Sequence, residues 1–162
     1  MLEKGEYWLA GARFAFDVDQ FDFAVKKSHT SRRSSETIAW IEHALNLYSG
    51  EYLGNLYYDW VFPERRRLQQ LNLKLLCRLA ELRAASGAHE NAIELLTRAL
   101  EEEPLMEEIH CQMMESYAAL NNHAAVARQY RELQELLEAE LSLSPSPETK
   151  QRYQAIMKMR GS

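Results

Sequence analysis

Apolar side chains recur at helical spacing along most of this chain. Ile38, Ile41, Leu45 and Tyr48 follow one another at three, four and three residues, which lays one apolar stripe along a helix. Ser34 or Ser35 ahead of them suits the N-cap, and Gly50 beyond them supplies a stop. Upstream, Asp17 and Asp19 offer N-caps for a helix through Phe21, Val25 and Lys26. The polar run from Ser28 to Glu36 has no period and is expected to be a flexible loop. Residues 6–18 alternate in part around Ala10-Gly11, with Phe14, Phe16 and Val18 following, which fits either a short β-hairpin or an extended lead-in packed on the first helix.

Beyond an aromatic, glycine-punctuated stretch from Gly50 to Pro63, which reads as a turn and a short buried segment, the helical pattern returns. Leu68, Leu71, Leu75, Leu79 and Leu82 share a face of a helix starting near Glu64, with Pro63 in its first turn, and ending near Ser86. Near the end, Ser144-Pro145-Ser146-Pro147-Glu148 stops one helix and starts another. Ser146 is its N-cap, Pro147 its first residue and Tyr153, Ile156 and Met157 its inward face. That helix is expected to cap an open end.

The open end is that of a repeat. Sliding residues 73–100 forward by 34 positions places Leu75 on Ile109, Cys77 on Cys111, Leu79 on Met113, Gly87 on Asn121, His89 on His123 and Ala92 on Val126. Glycine and asparagine are the residues that most readily take the left-handed conformation ending a helix, so the Gly87/Asn121 match has a physical reason. A repeat of this length is the tetratricopeptide period. Ala80, Ala92 and Ala99 are small enough to let the two helices of a unit approach closely, with Gly87 in the turn and Pro104 after the second helix. The second copy carries Met114, Val126 and Leu133 at the alanine positions and a last helix running to about Leu143. The expected fold class is all-α, a tetratricopeptide-like bundle of about seven helices.

Composition agrees. Of 162 residues, 46% are hydrophobic and only six are Gly and four Pro, which favours helix. The formal net charge of -5 leaves no cationic excess for a phosphate backbone, so direct DNA binding by this chain is not expected. With no signal peptide and no long apolar run, no membrane role is expected, and two cysteines without metal spacing suit a reducing cytoplasm. Met1-Leu2-Glu3 and Arg160-Gly161-Ser162 read as cloning remnants, so the chain is expected to be a piece of a longer protein.

Catalytic patterns are missing from the sequence: it has no GxSxG, no phosphate-cradling glycine loop and no HExxH, so neither an enzyme nor a cofactor is expected. Cys77 and Cys111 share a repeat position and read as small buried residues. His89, His110 and His123 read as exposed residues near helix starts, with a pH- or ligand-sensing role as the alternative. Arg65-Arg66-Arg67, and Lys26-Lys27 with Arg32-Arg33, are solvated helix faces or contacts for an acidic partner. Tyr52, Tyr57, Tyr58 and Trp60 are a small core at the join between helix pairs or the lining of an interface. Tyr52, Tyr57, Trp60, Arg65, Arg66 and His110 are therefore the candidate partner or ligand surface, and Ala80, Gly87, Ala92, Ala99, Pro104 and Asn121 the repeat-packing set.

Several runs in order resemble a known family. They are Asp17-Val18-Asp19 with Phe21, the segment from Ala44 to Asn55, Trp60 with Glu64-Arg65-Arg66-Arg67-Leu68, Ala80 with Gly87, Pro104 with Glu107-Glu108, Tyr117, Tyr130 with Leu136-Leu137, and Ser144 through Thr149. Together they look like the bacterial transcriptional activator domain of Streptomyces-type antibiotic regulatory proteins. The resemblance implies that residues 19–159 form that domain, that residues 1–18 are a linker or the last strand of a preceding DNA-binding domain, and that 160–162 lie outside it. It also implies a regulatory module that self-associates as a homodimer and relays signals between DNA-binding, sensory or ATPase domains of the same regulator and RNA polymerase or another protein. Two other readings stay open: a nucleotide- or metabolite-sensing domain with a pocket near Trp60 and Arg65–Arg67, and a freestanding tetratricopeptide adaptor. Asn121 in place of the usual second-repeat glycine and the individual loop Ser28–Ser35 depart from the family pattern.

Overall fold

The computed structural model describes residues 16–48 and 61–159. Residues 6–15 of the hairpin or lead-in expected over 6–18, the Gly50 stop, Tyr52, Tyr57, Tyr58 and Trp60 lie outside those residues. Two compact units divide the chain at Ser49/Gly50. Every regular element among the described residues is an α-helix.

The first unit holds α1 (Phe16–Thr30) and α2 (Ser34–Leu47). Helix α1 begins before the expected caps, so Asp17 and Asp19 lie within it, and Phe16 and Val18 belong to a helix rather than to a strand. Phe21, Ala24, Val25 and Ser28 form its buried stripe at helical spacing and face Ile41, Ala44 and Leu45 of α2. The Phe21 and Tyr48 rings lie 6.1 Å apart.

The expected loop from Ser28 to Glu36 shrinks to Ser31–Arg33. Its hydroxyls extend the helix instead of interrupting it: Ser28 donates to the Val25 carbonyl at 2.7 Å and Ser31 to that of Lys27 at 2.8 Å. Such bonds back to the preceding turn satisfy a serine inside a helix, and a polar composition does not distinguish that use from a loop. Arg33, not Ser34 or Ser35, occupies the N-cap of α2, with no side-chain cap bond.

The second unit holds α3 (Val61–Ala85), α4 (His89–Glu102), α5 (Glu107–Ala119), α6 (His123–Leu141) and α7 (Pro147–Met159). They pair as α3 with α4 and α5 with α6, as the register of 34 residues requires. Each first helix ends in the same way. Gly87 sits at φ 83° and Asn121 at φ 57°. The N–H of Gly87 donates to Ala84 and that of Ala88 to Arg83, both at 2.9 Å; Asn121 to Ala118 and Asn122 to Tyr117 repeat the pattern at the same lengths.

Between the helices of the first pair, Ala80, Ala92 and Ala99 are at most 1% exposed, and Met114, Val126 and Leu133 fill the corresponding places of the second at 0%. The larger side chains of the second pair therefore pack in the same positions without reaching solvent. Helix α7 starts on Ser146, whose Oγ accepts from the Thr149 N–H at 3.2 Å. The N–H of Ser146 donates to the Glu107 carboxylate at 2.9 Å, tying this cap to the start of α5. Tyr153, Ile156 and Met157 then cover Cys111, Met114 and Val126.

Candidate functional site

Helices α3 and α5 flank a cleft of about 330 Å³ with α4 contributing one wall. Its apolar lining is Ala80, Ala84 and Leu96; His89, Glu81, Gln112, Glu115 and Ser116 supply the polar part. Ala80 lines this space, and its repeat equivalent on α5 is Met114. The Oε1 of Gln112 and the Nδ1 of His89 are buried there without hydrogen-bond partners.

Acidic groups crowd the same flank. The guanidinium of Arg152 on α7 reaches Glu108 at 2.6 Å and Glu115 at 2.8 Å, a fork bridging two carboxylates of α5. Burial pushes the Cys77 thiol up to about 11, with the carboxylates of Glu81, Glu108 and Glu102 adding to it. Burial likewise raises Cys111. Both cysteines are free thiols, Cys77 half-buried and Cys111 buried, and stay protonated near neutrality. Among the described residues no cluster of His, Cys, Asp and Glu could hold a metal ion, and no helix is long and apolar enough to cross a membrane.

The sequence-derived surface set fares unevenly. His110 is not at a surface: it is 0% exposed. Its Nδ1 accepts from the Gln129 side-chain amide at 2.9 Å, which leaves Nε2 to donate to the Pro104 carbonyl at 2.8 Å. The ring thus ties α5 to α6 and to the turn before α5, and both nitrogens are used. His89 and His123, by contrast, begin α4 and α6 and are half-exposed.

Arg65 lies over the Phe62 ring at 5.7 Å, Arg66 is exposed, and Arg67 bonds Glu64 through two nitrogens at 2.9 and 2.6 Å. Arg66 and Arg67 border a recess with Phe62, Pro63 and Gln70. The structure brings Arg65 and Arg66 to one helix start, and puts His110 elsewhere. Pro104 is exposed, with its carbonyl taken by His110. In the first unit Lys27 lies 5.3 Å over Phe23, and Arg33 pairs with Glu36 at 3.7 Å.

Glu81, Gln112, Glu115 and Arg152 were not among the sequence candidates. Glu81 and Glu115 did carry a signal, since they occupy one repeat position 34 residues apart. Arg152 carried none, because its reach from α7 to α5 is a tertiary contact.

The family model for the bacterial transcriptional activator domain matches residues 16–157. The chain belongs to this family. Among similar proteins, the transcriptional regulatory protein MoaR1 of Mycobacterium tuberculosis is 29% identical over 155 residues, covering 93% of this chain and 50% of the relative. The regulatory protein AfsR of Streptomyces griseus is 24% identical over 159 residues, covering 96% of this chain and 16% of the relative. The activator domain therefore spans half or less of the length of these proteins. The fold is shared with Mycobacterium tuberculosis EmbR, solved in complex with a low-affinity phosphopeptide. That likeness has a TM-score of 0.72 at 20% identity and covers 89% of this chain and 38% of EmbR. The family is one of transcriptional regulators, and the helical repeat is its architecture here.

Proposed function

We propose that this activator domain is the regulatory interaction module of a longer bacterial transcriptional activator. It takes part in self-association and relays signals between a DNA-binding domain, sensory or ATPase modules and RNA polymerase. The observation that carries this reading is the family match over residues 16–157, on a chain whose helices form stacked repeats. Stacked helix pairs present a rigid, extended surface on which side chains from different helices converge, and such scaffolds bind segments of other proteins. The net charge of -5 supports a division of labour in which DNA contact belongs to another part of the regulator.

The test uses the full-length regulator with the segment α3–α7 deleted. Occupancy of the target promoter, read by footprinting, is expected to persist while activated transcription is lost. Unchanged activation refutes the proposal. Light scattering on the 162-residue chain checks the self-association part, which a strict monomer at high concentration overturns.

A further inference from the structure

We infer that the cleft bounded by α3, α4 and α5 is a receptor for an arginine side chain presented by a partner polypeptide, an assignment that rests on reading the domain as an interaction module. Ala80, Ala84 and Leu96 provide apolar walls for an aliphatic stem or the flat face of a guanidinium. The carboxylates of Glu81 and Glu115 and the side-chain carbonyl of Gln112 are acceptors, with the Ser116 hydroxyl and the His89 ring beside them. Gln112 gives its Nε2 to Glu108 at 3.4 Å, which leaves its buried Oε1 without a partner, and the exposed carboxylate of Glu81 lines the same space beside that of Glu115, which Arg152 already holds. An unmet buried acceptor is a standing cost that a ligand bearing donors removes. The orphaned Nδ1 of His89 does not mark the cleft, because Nδ1 of His123, at the equivalent position but outside the cleft, is orphaned too.

The second repeat shows such a seat already filled by the chain itself. Met114, Ala118 and Tyr130 stand where Ala80, Ala84 and Leu96 stand in the first, shifted by 34 residues. There α7 docks: Tyr153 stacks on Tyr130 with ring centroids 4.0 Å apart, and Ile156 and Met157 pack alongside. Beside that stack, Arg152 donates from Nε and Nη2 to Glu115 at 3.0 and 2.8 Å. Glu115 is the repeat equivalent of Glu81. An arginine next to an apolar residue on a docked segment is therefore how this chain covers that carboxylate position once. At the first repeat, among the described residues, Glu81 is engaged by Arg78 of its own helix at 2.8 Å, in an exposed pair of the kind solvent screens strongly. Arginine suits the cleft better than lysine, since five donors in a flat fork match acceptors spread over two helices.

The test titrates the isotope-labelled 162-residue chain with acetyl-Leu-Arg-Ala-amide to millimolar concentration, followed by amide chemical shifts. The controls are the citrulline and lysine analogues. Citrulline keeps the shape of arginine and removes its charge. Saturable shifts at Ala80, Ala84, Gln112 and Ser116 are expected, with the citrulline peptide on the order of tenfold weaker and the lysine peptide intermediate. Glu81→Gln is expected to weaken the arginine peptide while leaving the rest of the spectrum in place. Equal binding of the arginine and citrulline peptides, a lysine peptide as tight as arginine, or no shifts at the cleft overturns the assignment. All three comparisons use the unsubstituted chain, so they stand even if Glu81→Gln misfolds. Loss of activation in the full-length deletion, alongside an unresponsive cleft, removes this inference and leaves the interaction-module reading intact.

Discussion

Replacing Gly87 by alanine isolates the conformational part of a helix stop from any packing change. Gly87 stands at φ +83°, and a Cβ placed on it meets no atom within 4 Å. The bonds from the Gly87 N–H to Ala84 and from the Ala88 N–H to Arg83, both 2.9 Å, require that left-handed turn. Alanine keeps them only by adopting the same conformation, at a cost of about 1–2 kcal/mol for a residue with a Cβ. Against this, alanine narrows the unfolded ensemble, an effect of about 0.4–1 kcal/mol. The balance is a destabilisation of about 1 kcal/mol. With a urea slope of about 1–3 kcal/mol/M, the unfolding midpoint should fall by roughly 0.3–1 M at unchanged slope. Asn121 is the internal control, since it holds φ 57° with the equivalent pair of bonds. Asn121→Gly relieves residual strain and adds unfolded-chain freedom, opposing effects that should leave the midpoint nearly in place. A Gly87→Ala midpoint at or above that of the parent, with the slope unchanged, refutes the reasoning.

Three further perturbations have signs that the structure dictates. Met114 is 0% exposed in the second repeat, so Met114→Ala should cost about 2–5 kcal/mol in chemical denaturation, and a loss under 1 kcal/mol, on the order of a surface change, would contradict the packing described. Glu102, raised above its ordinary range by burial, accepts from the Asn72 amide through Oε1, while its Oε2 and the Asn72 Oδ1 are both orphaned. Glu102→Gln lets the new amide donate to Asn72 Oδ1, so the melting temperature at neutral pH should rise, by the equivalent of about 1 kcal/mol; a fall counts against the geometry. Burial pushes the Glu107 carboxyl up, but bonds from Thr149 and from the backbone and hydroxyl of Ser146 outweigh it and hold the group below its ordinary value of 4.5. Because the folded value is depressed, the stabilisation is present above pH 4.5 and is lost as pH falls below it, so acid titration of stability should flatten in Glu107→Gln.

How much was legible in the sequence depended on which physical constraint each residue answered to. The repeat was legible because close-packed helix pairs need small side chains at fixed places and a left-handed residue at the turn, and Ala80, Ala92, Gly87 and Asn121 meet those needs. The break between α1 and α2 was not, since Ser28 and Ser31 have loop-like chemistry yet bond back to Val25 and Lys27. His110 was misplaced for a related reason. Helix α5 buries consecutive residues from Ile109 to Cys111, so its inward face is too broad for spacing alone to tell an inward from an outward histidine. The cleft was half legible: Glu81 and Glu115 share a repeat position, but the guanidinium answering Glu115 comes from α7, and only folding brings it there.

Helix α5 also sets when this chain can finish folding. It is flanked by α3, α4, α6 and α7, and buries Ile109, His110, Cys111, Met113, Met114 and Ser116. Synthesis delivers these neighbours in order, so α3 and α4 leave the ribosome before the helix that completes their packing. When α5 arrives it brings an apolar flank of its own, bare until α6 and α7 follow. Nascent chains in that interval present sticky surface to whatever surrounds them, and early termination before Pro147 leaves Cys111, Met114 and Val126 without the cover that Tyr153, Ile156 and Met157 provide. Such truncated products are expected to aggregate or be held by chaperones, and the seating of α7 removes that surface.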